Sequence, residues 1–361
     1  MSETRTTEQM NTTSAAETAE VVEGRSGAPV LWQGIPGISE TAGGVLWATW
    51  YTGGPREPDA ANTVVLARSA DGGASWGDIA EIVPPSSIRA FDPNLWVDPL
   101  GRLWHLWNQT DESVAELFDG RGGVWARVGS VGAAGDVTWS APRRLSNGVS
   151  MNKPIVAADG AWLLPASVWG QGPDARLPEP REANVYASTD QGESWVYRGG
   201  AHIAAGVRTF DEHMVLQRAS GELWMIMRTL EGLAESFSGD GGRNWSLVRP
   251  SGFNPHTSSR VFFRALENGT LLLVRNAHPT ERTGLSAVVS TDDGLSWKPP
   301  VVLDDRVLLT YPDAAQLADG RVALVYDRER AARGEIELLF FRIGDDGTVA
   351  EVSEPAVISA L

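Results

Sequence analysis

The stretch Ser290–Trp297, with the sequence STDDGLSW, contains the pattern that decides the fold of this chain. The same pattern, S-x-D-x-G-x-x-W, occurs three more times, at Ser69–Trp76, Ser188–Trp195 and Ser238–Trp245. Copies with four residue types at fixed offsets indicate an internal repeat. In such a segment the Asp side chain accepts backbone N–H groups, and the Gly adopts the left-handed conformation that a tight turn needs. The repeated motif therefore predicts β-hairpin turns, and we interpret its residues as folding elements and not as an active site.

The composition is that of a turn-rich, aromatic β protein. The 361 residues include 39 Gly and 15 Trp, and 42% of them are hydrophobic. A repeat architecture can hold a chain of this length in one domain, because each repeat buries its apolar face against its neighbours. No apolar segment approaches the roughly 18 residues of a membrane helix. No stretch sustains a 3.6-residue apolar period, so little helix is expected.

The charge and the absence of Cys exclude several classes of function. A net charge of −16 disfavours nucleic acid and anionic membranes as partners, because both bind basic surfaces. The same charge is compatible with a small anionic ligand held by a few arginines. A chain without Cys has no disulfide, thiol nucleophile or thiolate metal site. No His or carboxylate cluster has metal-ligand spacing, so neither a metal nor another cofactor is predicted.

The first part of the chain has a different composition from the rest. Residues 1–28 are predicted to be a disordered leader, because they are rich in Thr, Glu, Ala and Ser. They contain no apolar segment of the kind found in secretion signals. We therefore expect a cytoplasmic protein in which residues 29–361 form one domain.

A second repeat runs through this domain. Each copy has an inner strand, a tight turn with Gly, and a strand of large apolar residues. The turn glycines recur at intervals of 48–61 residues and are Gly43, Gly101, Gly160, Gly221, Gly269 and Gly320. This interval is the length of one propeller blade. The sequence thus predicts an all-β fold, a six-bladed β-propeller of four-stranded antiparallel blades, with the repeated motif in the outer hairpins of blades 1, 3, 4 and 5.

The remaining segments are assigned from the same register. Trp139–Pro142 is interpreted as a degenerate copy of the repeated motif in blade 2. Glu335–Ile343 and Ala356–Ile358 are predicted to supply strands of blade 6. Pro29–Trp32 is a candidate strand to close that blade.

Polar residues stand where the inner strands begin. Asp92, Glu212, Arg260 and Tyr311 each lie nine residues before a turn glycine, and Lys153 lies near the equivalent place in blade 3. In a propeller these positions face the mouth of the central channel. Charged groups in an otherwise apolar channel destabilise a fold unless they are paired or used. We therefore predict a ligand site, with a set of mutually satisfied structural ion pairs as the alternative.

The repeated motif is similar to the Asp box, and the chain from about residue 30 onward resembles the sialidase-like superfamily of BNR-repeat propellers. The resemblance implies a Tyr nucleophile, an assisting Glu, an acid on a loop after the first inner strands, and three arginines for a substrate carboxylate. Tyr311, in TYPD, resembles the nucleophile, and Glu212, in DEHM, resembles the assisting Glu. Asp59, or else Glu57, occupies the loop of residues 53–62 where the acid belongs.

The arginines match this family only in part. Arg228 and Arg282 resemble the second and third arginines of the family. The first precedes Ile-Pro at the start of blade 1, where this chain has Gly34. Loss of one buried bidentate arginine weakens ligand binding by about 2–5 kcal/mol. The sequence therefore departs from an ordinary exo-sialidase.

Other residues are candidates to replace the missing charge. Arg260, Arg89 and Arg208 each lie near an aromatic residue. For Arg89 and Arg208 the alternative is structural, since an Arg-x-Phe-Asp segment can fix the start of a strand through an Arg–Asp pair. With Arg228, Arg282, Asp92 and Lys153, these arginines make up the predicted substrate-binding set.

Three functions fit these residues, all with a carbohydrate as partner. The first is a sialidase-like glycoside hydrolase that releases a terminal acidic sugar, because a neutral Tyr311 deprotonated by Glu212 avoids the repulsion between a carboxylate nucleophile and such a sugar. The second is a polysaccharide lyase for uronate-containing oligosaccharides, such as rhamnose–glucuronate ones, in which a Tyr or His removes the proton next to the carboxylate. The third is a glycan-binding propeller without catalysis. The presence of Tyr311 and Glu212 favours an enzyme.

Overall fold

The protein is an all-β propeller of six sheets. The computed structural model describes residues 18–85, 87–111, 120–132, 135–169 and 177–361. No α-helix occurs in these ranges, and so none there is long and apolar enough to cross a membrane. The strands pair in antiparallel fashion within each sheet, and the described residues form three sheets of four strands and three of five. The predicted six-bladed architecture is confirmed.

The first three blades follow one another along the chain. Blade 1 contains β1 (Glu20–Glu23), β2 (Gln33–Thr41), β3 (Val45–Thr52), β4 (Thr63–Ser69) and β5 (Gly77–Val83). Blade 2 contains β6 (Ile88–Val97), β7 (Leu103–Asp111), β8 (Val124–Val131), β9 (Val137–Trp139) and β10 (Arg143–Ser146). Blade 3 contains β11 (Ile155–Val156), β12 (Trp162–Pro165), β13 (Ala183–Ser188) and β14 (Val196–Ala201).

The last three blades continue in the same way. Blade 4 contains β15 (Met214–Gln217), β16 (Leu223–Thr229), β17 (Gly232–Ser238) and β18 (Arg249–Pro250). Blade 5 contains β19 (Phe262–Ala265), β20 (Leu271–Asn276), β21 (Thr283–Ser290) and β22 (Val301–Val307). Blade 6 contains β23 (Leu309–Gln316), β24 (Arg321–Arg328), β25 (Glu335–Ile343), β26 (Val349–Ala350) and β27 (Ala356–Ser359).

One edge of each sheet lines the central channel. The strands at these edges are β2, β6, β11, β15, β19 and β23. β2 contacts both β6 and β23, and β19 contacts both β15 and β23. Each inner strand ends in the predicted glycine turn, as at Gly101, whose N–H donates to Asp98 O at 2.9 Å with a φ of 75°. The periodic glycines thus fix where each inner strand ends.

The repeated motif forms the turn between the third and fourth strands of its blade. In blade 5, Ser290 Oγ accepts the N–H of Gly294 at 2.9 Å, and Asp292 Oδ1 accepts the N–H of Ser296 at 2.9 Å. The other copies connect β4 to β5, β13 to β14 and β17 to β18. The predicted hairpins in blades 1, 3, 4 and 5 are therefore present.

The Trp that ends the motif joins neighbouring blades. Trp297 of blade 5 lies 6.2 Å from Trp224 of blade 4, measured between ring centroids, and Trp195 of blade 3 lies 6.3 Å from Trp104 of blade 2. Both partners belong to the second strand of the preceding blade. The motif consequently stabilises its own turn and also the contact between two sheets.

The two ends of the chain differ from the prediction in part. β1 pairs with β5, so blade 1 includes residues before the predicted boundary at residue 29, while residues 1–17 lie outside the described ranges. Glu335–Ile343 and Ala356–Ser359 are strands of blade 6, as predicted. The assignment of Pro29–Trp32 to that blade is wrong, because β26 and β27 already pair with the outer edge of β25. Val30 instead forms a parallel bridge with Gly54 in blade 1.

Candidate active site

Four inner strands begin with the same unusual backbone geometry. Ile35, Asp92, Glu212 and Tyr311 have φ values of 56°, 44°, 43° and 54°, in the left-handed region. Three of them precede a Pro, and at those three places the pairing with the next strand shifts register. Such strain in non-glycine residues is concentrated at functional sites. The residue of blade 1 with this backbone geometry is Ile35 and not Gly34. The four residues that share the geometry therefore carry two carboxyl groups, a phenol and one apolar side chain.

The centre of the site is a phenol–carboxylate pair. Tyr311 Oη donates to Glu212 Oε1 at 3.0 Å, and both side chains are buried. Burial and then the charge of Glu212 raise the pKa of Tyr311, so the phenol is neutral at rest. Arg228 Nη1 lies 2.7 Å from the same Glu212 oxygen and 3.5 Å from Tyr311 Oη. Glu212 is therefore within reach of the proton that Tyr311 must lose to act as a nucleophile.

The structure brings Arg228 and Arg282 together around Tyr311. Ser258, in the segment before β19, contacts both: its Oγ accepts Arg228 Nε–H at 3.0 Å, and its carbonyl oxygen accepts Arg282 Nη2–H at 3.2 Å. The guanidinium carbon of Arg282 lies 5.6 Å from the centroid of the Tyr311 ring. Within the described ranges Arg282 has no acidic partner. Its charge is thus available to an anionic ligand.

The two candidates for the acid both lie in the loop between β3 and β4, but they have different contacts. Glu57 Oε2 accepts Arg330 Nη1–H at 2.9 Å, which places it at the site. Burial and then the charge of Glu57 raise the pKa of the neighbouring Asp92 carboxyl. Asp59 turns back on its own loop, where its Oδ1 accepts the N–H of Ala61 at 2.9 Å. Glu57 therefore contacts an arginine beside Tyr311, whereas Asp59 forms hydrogen bonds within its own loop.

A third arginine, Arg330, reaches the site from the segment between β24 and β25, and the sequence analysis did not identify it. Its guanidinium carbon lies 4.6 Å from the ring centroid of Tyr311 and 5.9 Å from that of Trp32. Its Nε is 3.5 Å from Asp327 Oδ2. Burial acts against its charged form, but the neighbouring acidic groups, Asp327 first, outweigh burial and raise the pKa of Arg330. With the arginines from blades 4 and 5, three guanidinium groups surround one phenol.

Asp92 and Arg89 belong to the blade 2 side of the site. Asp92 Oδ1 is buried and accepts no hydrogen bond from the described residues. Burial, then Glu57, and to a smaller extent Glu212, raise the pKa of Asp92 well above its ordinary value, while Arg89 opposes the shift. The guanidinium carbon of Arg89 lies 4.0 Å from the ring centroid of Phe91. Asp92 is therefore a buried carboxyl group whose charged form is disfavoured at this place.

Lys153 and Arg260 belong to a separate network deeper in the channel. Lys153 Nζ forms an ion pair with Asp313 and donates to Ile38 O at 2.7 Å. Arg260 Nη2 lies 3.6 Å from Asp313 Oδ1, and its Nε donates to Asn152 at 2.8 Å. Burial lowers the pKa of Lys153 to about 8, with Asp313 opposing the shift. The two cations thus share one buried carboxylate, as in the alternative of structural ion pairs, while Arg260 Nη2 and Asp313 Oδ1 make no hydrogen bond within the described residues.

Arg208 is likewise held by structural partners. Its Nε donates to Asp211 Oδ1 at 2.9 Å, and its Nη2 donates to Val168 O at 2.9 Å. Both charged side chains are almost fully buried. Arg208 thus forms the Arg–Asp pair that the Arg-x-Phe-Asp pattern also suggested.

Metal binding is not indicated by the part of the chain that the structure describes. In those residues no group of three or more His, Asp or Glu side chains is arranged to hold a metal ion.

Comparison with known proteins agrees with this fold. Residues 44–324 match the family model of the BNR repeat-like domain. The chain is 26% identical over 348 residues to a sialidase of Micromonospora viridifaciens, and this match covers 85% of the chain and 51% of the relative. The chain thus spans about half the length of that curated relative.

Solved structures of similar shape include sialidases. The Hadza microbial sialidase Hz136 has a TM-score of 0.65 at 19% identity, covering 82% of this chain and 63% of its own. An intramolecular trans-sialidase from Ruminococcus gnavus has a TM-score of 0.66 at 14% identity, covering 93% of this chain and 100% of its own. At these identities the likeness shows the fold, whereas the family model matches most of the chain. The chain therefore belongs to the BNR-repeat family of sialidase-like β-propellers.

Proposed function

We propose that this protein is a glycoside hydrolase that releases a terminal sugar with a carboxylate at its anomeric carbon. The observation that carries the proposal is the buried Tyr311–Glu212 pair, with 3.0 Å between Oη and Oε1 and with Arg228 beside both groups. A nucleophile, a base within hydrogen-bond reach and a cationic surround are the parts that this reaction requires.

The choice of Tyr as nucleophile follows from the charge of the substrate. A carboxylate nucleophile and a carboxylate on the sugar repel each other, whereas a neutral phenol approaches the anomeric carbon without that repulsion. The raised pKa of Tyr311 keeps the phenol neutral until Glu212 takes its proton. The phenol oxygen of Tyr311 therefore becomes a strong nucleophile only as its bond to the anomeric carbon forms.

The reaction consists of two balanced displacements. Tyr311 Oη bonds to the anomeric carbon and gives its proton to Glu212, while the bond to the leaving oxygen breaks and Glu57, in its protonated form, donates a proton to that oxygen. Water then attacks the anomeric carbon and returns a proton to Glu57. The Tyr311–sugar bond breaks, and Glu212 gives its proton back to the phenolate. The sum is hydrolysis of one glycosidic bond.

The arginines suit the orientation of the substrate. A guanidinium group binds a carboxylate through two parallel N–H donors, which fixes both position and angle. Arg282 has its charge available, and Arg228 lies beside both the nucleophile and its base. A sugar carboxylate bound here would present its anomeric carbon to Tyr311 Oη.

The relatives suggest which sugars to test first. One similar protein is named a sialidase and another an intramolecular trans-sialidase, so sialic acids are the first class of substrate that we propose. A panel of sialosides and of uronate-containing oligosaccharides separates the possible activities by product mass. A hydrolase gives fragments that together gain one water, a lyase gives an unsaturated fragment without added water, and a glycan-binding propeller gives no product.

The decisive variant is Tyr311→Phe. We expect it to abolish turnover and to leave the affinity for the substrate nearly unchanged, because only the reacting oxygen is removed. Tyr326→Phe is the matched control: Tyr326 is also buried in blade 6, and its hydroxyl donates to the carboxylate of Asp304 at 2.7 Å. Full activity in Tyr311→Phe, or equal losses in both variants, would contradict the mechanism.

A further inference from the structure

At the start of blade 1, the side chain of Arg330 occupies the space that a side chain at position 34 would need. A Cβ atom on Gly34 would lie 2.5 Å from Cδ and 3.0 Å from Cγ of Arg330, and 3.0 Å from Oδ2 of Asp327. The first distance is well inside van der Waals contact, so a larger residue at position 34 would displace the arginine. The absence of a side chain at Gly34 is therefore what allows Arg330 to cross this point and reach the Tyr311 ring.

On the basis of the proposed function, we propose that Arg330 supplies from blade 6 the carboxylate-binding guanidinium that position 34 lacks, and that Glu57 holds it in the unliganded protein until a substrate carboxylate takes the place of Glu57. This assigns Arg330 a role in specificity. It also gives Glu57 two consecutive roles, first as the internal partner of the arginine and then as the acid.

The carboxylate of Asp327 holds the Arg330 side chain in position through a contact with its Nε. Its Oδ2 accepts the N–H of Ile35 at 2.8 Å, and its Oδ1 accepts the hydroxyl of Thr310. The same carboxylate lies 3.5 Å from Arg330 Nε. One buried anion thus ties the starts of the inner strands of blades 1 and 6 to the base of the arginine, while Nη1 of the arginine extends to Glu57.

The Glu57–Arg330 pair has the chemistry of an exchangeable contact. The Glu57 side chain is 30% exposed, and it comes from a loop and not from a strand. A ligand carboxylate would replace one charge-assisted pair by another of the same kind, so the exchange needs no unpaired buried cation. Substrate binding would thus separate Glu57 from its counter-ion Arg330.

A pair of ligands that differ only in the carboxylate tests the role of Arg330. The probes are 2-deoxy-2,3-didehydro-N-acetylneuraminic acid and its methyl ester, with binding measured by calorimetry. We expect the wild-type protein to prefer the acid and Arg330→Met to weaken acid binding by roughly 30-fold or more, with the ester changed less than about threefold. Arg333→Met is the control, since Arg333 lies in the same segment but is largely exposed, and it should change neither affinity.

The outcomes separate the two proposals. If the wild-type protein binds the acid no better than the ester, the proposed function for a carboxylated sugar is contradicted. If the wild-type protein prefers the acid and Arg330→Met keeps that preference, only the role of Arg330 is contradicted. A loss of folding in Arg330→Met is detected by circular dichroism, and Arg330→Lys then provides the test: as a cation without the planar fork, it should recover part of the preference for the acid.

Two further variants test the exchange itself. Glu57→Gln removes the internal competitor, so we expect the acid to bind several-fold more tightly, the ester to bind as before, and turnover to fall by about 10²-fold or more. Weaker binding of both probes would indicate a merely structural Glu57. Gly34→Arg combined with Arg330→Gly moves the guanidinium to the other position and should retain the preference for the acid, whereas Gly34→Arg alone should lose it through the steric conflict.

Discussion

The mouth of the channel and the layer beneath it are built from the same strands but differ in how their charges are used. Tyr311 and Asp313 lie two residues apart on β23, at the place where the pairing of this strand with β24 shifts register. Around Asp313, Lys153 and Arg260 are almost completely buried and share one carboxylate. Around Tyr311, the three arginines are partly exposed, and one of them, Arg282, has no acidic partner in the described residues. The lower layer is closed on itself, and the upper layer is open to a ligand.

The charged residues at the starts of the inner strands therefore do not act as one functional unit. A buried ion pair whose members have no access to solvent acts as a structural element, and removal of one member leaves an uncompensated charge. A partly exposed group at the mouth can exchange its partner for a ligand. Depth along the strand, over as little as two residues, decides which role a charge has.

The largest effect on stability is expected from Asp313→Ala. The substitution leaves the cations of Lys153 and Arg260 buried without their common anion, which should lower the free energy of unfolding by about 3–5 kcal/mol. Urea denaturation followed by Trp fluorescence measures this change. Asp305→Ala is the control, because Asp305 is exposed, and it should have an effect below about 0.5 kcal/mol. If the free energy of unfolding of Asp313→Ala falls by less than about 1 kcal/mol, the ion pairs around Asp313 are not a structural element. The distinction between the two layers would then be contradicted.

Glu212→Gln should instead affect catalysis. The amide cannot take the phenolic proton, so we expect turnover to fall by about 10²- to 10⁴-fold, with a smaller loss of stability than in Asp313→Ala. The control is Glu235→Gln, which alters another Arg–Glu pair in blade 4, in which Arg249 Nε lies 3.0 Å from Glu235 Oε1. That variant should retain turnover. If the control loses as much turnover as Glu212→Gln, the loss does not come from the missing base.

The fold was predictable because its signals are local and repeated. The turn glycines and the repeated motif each require only a few neighbouring residues to adopt a defined turn, and their spacing gives the number of blades. The pair of Tyr311 and Glu212 follows from the same register, since both lie nine residues before a turn glycine. Positions set by strand periodicity were therefore accessible from the sequence alone.

The remaining features depend on contacts between distant segments. Arg330 could not be assigned because its role arises from the space beside Gly34, which only the packing of blade 6 against blade 1 shows. The choice between Glu57 and Asp59 depended on the direction of two side chains in one loop. Lys153 and Arg260 have the residue types of a binding site, and only the structure shows that both are buried against the common partner Asp313.

A smaller effect is expected from Ser258→Ala, which changes how one arginine is positioned. The variant removes the hydroxyl that accepts Arg228 Nε–H and keeps the carbonyl oxygen that accepts Arg282 Nη2–H. Loss of one hydrogen bond to a charged group should reduce kcat/KM by about 10-fold. The neighbouring Ser259→Ala is a matched control, since the buried Ser259 hydroxyl has no hydrogen-bond partner among the described residues. Equal losses in both variants would contradict a positioning role for Ser258.

The smallest predicted effect concerns Asp292, a carboxylate of the repeated motif that lies outside the channel. Its response to pH tests whether the charge of this carboxylate stabilises the turn. Hydrogen bonds from the side chain and then the backbone of Ser296 lower the pKa of Asp292 from 3.8 to about 2. Because the folded-state pKa is depressed, the stability that this group contributes is fully present above the ordinary Asp pKa and is lost as the pH falls through about 2. Asp292→Asn should therefore be less stable than the wild-type protein at pH 7, and the difference should shrink between pH 4 and pH 2. Urea midpoints measured across this range test the expectation, with Asp305→Asn as the control because Asp305 is exposed. A difference for Asp292→Asn that stays constant down to pH 2 would mean that the motif stabilises its turn by shape and not by the charge of its carboxylate.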